Sequence, residues 1–157
     1  MPATPSTPTT IYYNNGTSIY INWTATDNGG SAITSYTVKI RQNDTSTYTT
    51  LTTACSGSSQ FVLTNRACFV PVSIVLAAPY NLPWTSSIFA TVSATNVYGT
   101  SADSTPGNGA VIVTVPNPPT NLANNASLTT AYQIGLTWSP ATFNGGTPLI
   151  SYRINYD

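Results

Sequence analysis

The chain has 157 residues, with four Lys+Arg, four Asp+Glu, no His and a formal net charge of zero. Four basic residues (Lys39, Arg41, Arg66 and Arg153) are too few to neutralise a run of phosphates or hold an anionic membrane surface, which excludes nucleic acid as a partner. Without His or a placed pair of carboxylates there is no triad, no acid–base pair and no ligand cluster, so no catalytic residue and no metal ligand is assigned.

The opening residues, 1–10, are Pro- and Thr-rich. The run Thr4-Pro5-Ser6-Thr7-Pro8-Thr9-Thr10 reads as an extended linker and a candidate for O-linked sugar. It has neither the basic nor the apolar region of a signal peptide, so export would need a leader upstream. From there the hydrophobic period is two, not 3.6. Ile19, Ile21 and Trp23 alternate with Ser18, Tyr20 and Asn22, which predicts a strand with Asn22 outward. Asp27-Asn28-Gly29-Gly30 is turn chemistry, since a calcium loop wants several carboxylates. Tyr36, Val38 and Ile40 predict the next strand.

Cys55 and Cys68 follow, with no His or second cysteine pair to complete a zinc site or activate a thiol. A disulfide closing this small loop is expected, with two free thiols as the alternative. The bridge would stabilise by roughly 3 kcal/mol and implies an oxidising compartment. Val70, Val72, Ile74 and Leu76 share one parity and predict a further strand. The apolar run Phe69 to Tyr80, broken by Pro71 and Ser73, is too short to span a bilayer. Ile88, Ala90, Val92 and Ala94 predict another strand. Phe89 has the opposite parity and is expected to face outward, as a candidate contact surface for a neighbour or a glycan.

An internal repeat runs through the chain. Ile21-Asn22-Trp23-Thr24 leads to Asn28-Gly29-Gly30 and Tyr36; Leu136-Thr137-Trp138-Ser139 leads to Asn144-Gly145-Gly146 and Tyr152. The tryptophans are 115 positions apart and the tyrosines 116. Short alternating strands separated by Gly, Pro and Asn clusters, with no long amphipathic helix, indicate an all-β sandwich.

These residues resemble the fibronectin type III family. The resemblance runs from the proline-led strand A through Trp23 on strand B and Tyr36 on strand C to Leu82-Pro83. It ends in Val92-Ser93-Ala94-Thr95-Asn96-Val97-Tyr98-Gly99-Thr100-Ser101 on strand F. It implies an immunoglobulin-like β-sandwich over 11–115, with strand G from Ala110 to Val115 and an insertion bearing the cysteines. Residues 116–157 are then strands A, B and C of a second, incomplete module. Trp23 and Trp138 become core residues rather than sugar platforms. The family's corner tyrosine falls on Ile88, so its hydroxyl bond is absent and the disulfide is expected to take over part of that clamping. The cysteine-bearing, Asn/Ser/Thr-rich variant looks like the long extracellular repeat proteins of single-celled eukaryotes.

Four sequons mark candidate N-glycosylation sites: Asn15, Asn22, Asn43 and Asn125. Asn15 and Asn125 fall in equivalent loops between strands A and B, Asn22 lies mid-strand beside a bulky Trp, and Asn43 lies beyond strand C. With 5% charged residues and 45 Ser and Thr, solubility is expected from glycans or a permanent partner. The expected function is a non-catalytic structural or adhesive repeat module of a glycosylated fibre or filament, extracellular or at the cell surface. It needs no cofactor, and its partners are copies of itself or adjacent repeats. The alternatives are a ligand-binding ectodomain and a spacer module of a large secreted enzyme. An unfinished second sandwich leaves Ile134, Leu136, Trp138, Tyr152, Ile154 and Tyr156 on an uncovered inner face. It is expected to be completed by the continuing polypeptide or by a neighbour's strand.

Overall fold

The computed structural model describes residues 1–14, 16–25 and 27–156, in two compact units, Met1–Ile112 and Val113–Asp157. In the first unit, β1 (Thr9–Tyr13), β2 (Ser18–Asn22) and β5 (Ala67–Pro71) form a three-stranded antiparallel sheet in the order β1-β2-β5. The other sheet holds β3 (Ser35–Arg41), β4 (Tyr48–Thr50), β6 (Ala90–Asn96) and β7 (Gly99–Thr100), ordered β4-β3-β6-β7. Two short helices, α1 (Gln60–Asn65) and α2 (Val72–Leu76), flank β5 in sequence.

The pleat decides which residues are inside. Ile19 and Ile21 of β2 and Cys68 and Val70 of β5 share one buried cluster with Tyr36, Val38 and Ile40 of β3 and Val92 and Ala94 of β6. Across β3 and β6 the register sets Tyr36 opposite Ala94, Val38 opposite Val92 and Ile40 opposite Ala90. Bulky side chains thus face equal or smaller ones, which keeps the layer even. Trp23, one residue past β2, meets Tyr36 edge to face, with ring centroids 5.2 Å apart and planes at 65°.

Three segments of the first part of the chain differ from the sequence-based expectation, and a fourth lies in the second unit. Residues 1–10 are not a free linker. Pro2, Pro5 and Pro8 are buried, Ala3 N–H donates to Asp27 O at 2.9 Å, and Thr24 N–H donates to Ser6 Oγ at 2.8 Å. Proline rings supply apolar surface and leave few N–H groups needing partners, which suits a segment laid along an edge. A Cβ on Gly107 would stand 1.6 Å from Pro8 O, so glycine alone admits this approach.

The series Val70, Val72, Ile74, Leu76 is not one strand. β5 ends at Pro71, which has no N–H to extend the ladder and a φ of −55° suited to entering a helix. In α2 it is Val72 and Val75, three residues apart, that are buried. Nor is Ala110 to Val115 a continuous strand. Ser101 and Ser104 first bond along β6, their N–H groups donating to Ala94 O and Val92 O. Beyond Pro106, Gly107 exchanges both backbone bonds with Ala90, and Ile88 N–H donates to Ala110 O. The hydroxyls of Ser101 and Ser104 accept from Ala94 and Val92 N–H at 3.0 Å, standing in for backbone carbonyls.

In the second unit, β8 (Thr120–Asn124) pairs antiparallel with β9 (Leu136–Ser139), with a register irregularity between Thr120 and Ala123. Trp138 and Tyr152 repeat the edge-to-face pair at 5.4 Å and 61°. The segment 150–156, assigned to strand C, carries no ladder. A strand exists only with a bonding neighbour, and among the described residues no backbone hydrogen bond joins this segment to another. Leu122, Ile134, Tyr152 and Ile154 remain exposed. Among the described residues no helix is long and apolar enough to cross a membrane.

Candidate functional site

The insertion between β4 and β5 is built around a buried crosslink. The sulfurs of Cys55 and Cys68 are bonded, with Cα atoms 5.4 Å apart, and both residues are buried. Cys68 sits on β5 of the three-stranded sheet, and Cys55 in the segment leaving β4 of the other sheet, so the bridge ties the two layers. Gly57 O accepts from Tyr36 N–H at 3.0 Å, and a Cβ on Gly57 would fall 1.5 Å from Tyr36 O. Ser59 caps α1 by accepting from Val62 N–H, Val62 is buried beneath the helix, and Arg66 ends it in the left-handed region at φ 52°.

Ile88, at the position of the expected corner tyrosine, is fully buried. A corner-like bond exists elsewhere: the hydroxyl of buried Tyr80 donates to Thr50 O at 3.1 Å, fastening the turn after α2 to the end of β4. Sequence reasoning missed this residue, whose only signal was a tyrosine inside a Pro-Tyr-Asn turn. Burial raises the Tyr80 hydroxyl above its ordinary value of 10.0. Burial also raises Tyr36, with the nearby Arg66 charge working in the opposite direction.

Phe89 is half-buried, and the Arg41 guanidinium carbon stands 3.8 Å from its ring centroid. One ring face is therefore already occupied by a cation. Lys39 and Asp103 pair at 2.6 Å, both partly exposed.

Of the sequon residues, Asn15 lies outside the described residues. Asn43 is exposed just past β3, its N–H donating to Tyr80 O. Beside it, Asp44 accepts from Thr47 and Ser46, which holds its carboxyl below the usual range. Asn125 Oδ1 accepts from Ser127 Oγ at 2.6 Å, folding the sequon into a turn. Asn22 lies on β2, where the Thr9 hydroxyl donates to its Oδ1 at 2.8 Å. Asp27 Oδ1 accepts from Gly29 N–H at 2.9 Å, the turn role expected of it. Among the described residues no group of three His, Cys, Asp or Glu is placed to hold a metal ion.

No run or spacing in the sequence signals the aromatic cluster on the outer face of the three-stranded sheet. Phe69 lies 4.9 Å from Tyr13, 4.9 Å from Tyr20 and 6.0 Å from Phe61, centroid to centroid. Four rings from β1, β2, β5 and α1 thus meet at the surface; the strand pairing and the placement of α1 make them neighbours.

No family model and no curated protein matches the chain. Among solved structures, domains A168-A170 from titin superpose with a TM-score of 0.51 at 20% identity, over 71% of this chain and 32% of that one. The FN1–FN3 domains of chicken CNTN1 superpose with a TM-score of 0.50 at 18% identity, over 87% of this chain and 42% of that one. The chain therefore spans well under half the length of either. At these identities the likeness establishes the fold, a fibronectin type III-like, immunoglobulin-like β-sandwich.

Proposed function

We propose that this sandwich is a non-catalytic structural or adhesive repeat module of an extracellular or cell-surface fibre. It carries N-linked glycans and associates with copies of itself or adjacent repeats. The observation that carries the reading is the recurrence of one core motif. Trp138 and Tyr152 reproduce the Trp23–Tyr36 pair within 0.2 Å in centroid spacing (5.4 against 5.2 Å) and 4° in tilt (61° against 65°). Two copies of one module in one chain fit an array.

The buried disulfide supports export, because such bridges persist in oxidising compartments. In the first unit, β5 and β6 help bury the Trp–Tyr pair; in the second, Tyr152 and Ile154 stay exposed. Exposed apolar faces of this kind mark contacts. Strands of the β5 and β6 type, from an adjacent repeat or another copy, would seal this one. Electron microscopy of the native assembly tests the reading. Regular filaments with a repeat of one sandwich module are expected; a uniformly monomeric protein in native extracts would defeat it.

A further inference from the structure

The outer face of the three-stranded sheet carries both a sugar acceptor and a surface suited to a sugar. With Ile19 and Ile21 inward on β2, Tyr20 and Asn22 project from the same outer face, two residues and about 7 Å apart along the strand. The register places Asn22 between Thr9 and Ala67, and Tyr20 between Ile11 and Phe69. Asn22 thus sits between exposed Thr9 and fully buried Ala67, one pleat repeat from the larger Tyr20 and Phe69. Diagonal neighbours at this spacing are within reach of a long side chain, and a sugar on Asn22 reaches further than any side chain.

Two of the three large side chains in the neighbouring row, Tyr20 and Phe69, are aromatic where an ordinary outward face would be polar. Phe69 is 37% exposed and Tyr20 half-buried; Tyr13 and Phe61, 55% and 48% exposed, lie beyond that row and each pack on Phe69. Aromatic faces carry partial negative charge, which suits the C–H groups on the flat side of a pyranose. The Thr9 hydroxyl orients the Asn22 carboxamide through Oδ1, and Nδ2 is the atom to which a sugar attaches. Trp23, the bulky member of the sequon, is buried and points away from this face, and Thr24 is exposed.

We propose that Asn22 is an N-glycosylation site whose first pyranose packs on the Tyr20 and Phe69 rings, making the glycan part of the domain's outer layer. The bond forms between sugar C1 and Asn22 Nδ2. Nδ2 loses one proton, and the diphosphate of a lipid-linked glycosyl donor departs with the electron pair of the broken C1–O bond. The inference rests on the reading of the protein as an exported glycoprotein and adds where its sugar lies.

The test uses the whole chain secreted from a eukaryotic host. Peptide mass mapping should find Asn22 occupied. Proton NMR should find the ring protons of its first sugar shifted upfield of the same glycan in a free glycopeptide, as stacking on aromatic faces requires. Phe69→Leu and, separately, Tyr20→Leu keep apolar bulk but remove a ring. Each should move those signals toward the free-glycopeptide positions without changing occupancy. An unmodified Asn22 overturns the proposal, and so does an occupied Asn22 with free-glycan shifts. Neither outcome touches the fibre reading, which stands or falls on the micrographs.

Discussion

At the scale of single residues, a few side chains close the joints that the strands leave open. Asn96 Nδ2 donates to Asn28 O at 2.7 Å, holding the Gly-Gly turn to the end of β6. Tyr80 does the equivalent work between the turn after α2 and β4. Tyr80→Phe removes one hydrogen bond and little volume, so about 1 kcal/mol of stability should be lost in urea unfolding at neutral pH. The sign of the pH dependence follows from burial. Tyr80 and Tyr36 are both raised above 10.0 in the folded chain. Above pH 10.0 the unfolded chain therefore gives up protons that the native chain keeps, so stability is fully present below that pH and falls as pH rises toward the folded values. Unfolding measured from pH 8 to 11 should show this alkaline fall, and Tyr80→Phe should show less of it. An equal fall in the variant would mean Tyr80 is not one of the groups responsible.

At the scale of elements, the insertion between β4 and β5 depends on its crosslink more than on its helix. α1 has six residues, too few to stand without tertiary support, and only Val62 within it is buried. The double variant Cys55→Ala/Cys68→Ala should lose roughly 3 kcal/mol, the chain-entropy value for a loop of this size. Native protein should take up no alkylating reagent until it is both unfolded and reduced. Labelling of two thiols in the native state would refute the bridge. The strands themselves were legible. Alternation placed Ile19, Ile21, Tyr36, Val38, Ile40, Val92 and Ala94 inside, and the structure buries them all. Alternation misled at Val72, Ile74 and Leu76, because over five residues periods of two and 3.6 are not distinguishable and Pro71 had already stopped the ladder. It was silent about the aromatic face, whose four rings come from separate stretches of sequence.

At the scale of the whole molecule, the two units differ in how well they cover their apolar residues. In Met1–Ile112 the cluster is sealed between two sheets; in Val113–Asp157 the described residues hold one two-stranded ladder, backbone bonds from Thr114 and Asn117 to Gly145 and Phe143, and the Trp138–Tyr152 pair. Amide exchange should follow that difference. Amides of β2, β3 and β6 should open only with global unfolding, and those of 140–156 with opening free energies near zero. Slow exchange across 150–156 in the isolated monomer would show that the second face is sealed without a further strand. The sequence alone determined the class of fold, the repeat, the inward parity of the strands and the positions of the sequons. Each of these is written in spacings of a few residues or in direct self-similarity. Only the tertiary structure decided that Pro2, Pro5 and Pro8 dock, that Tyr80 replaces the corner hydroxyl, and that Asn22 stands beside Tyr20 and Phe69. Those outcomes depend on which distant strand lies alongside, and strand pairing is selected by the packing of the whole sandwich rather than by any local run.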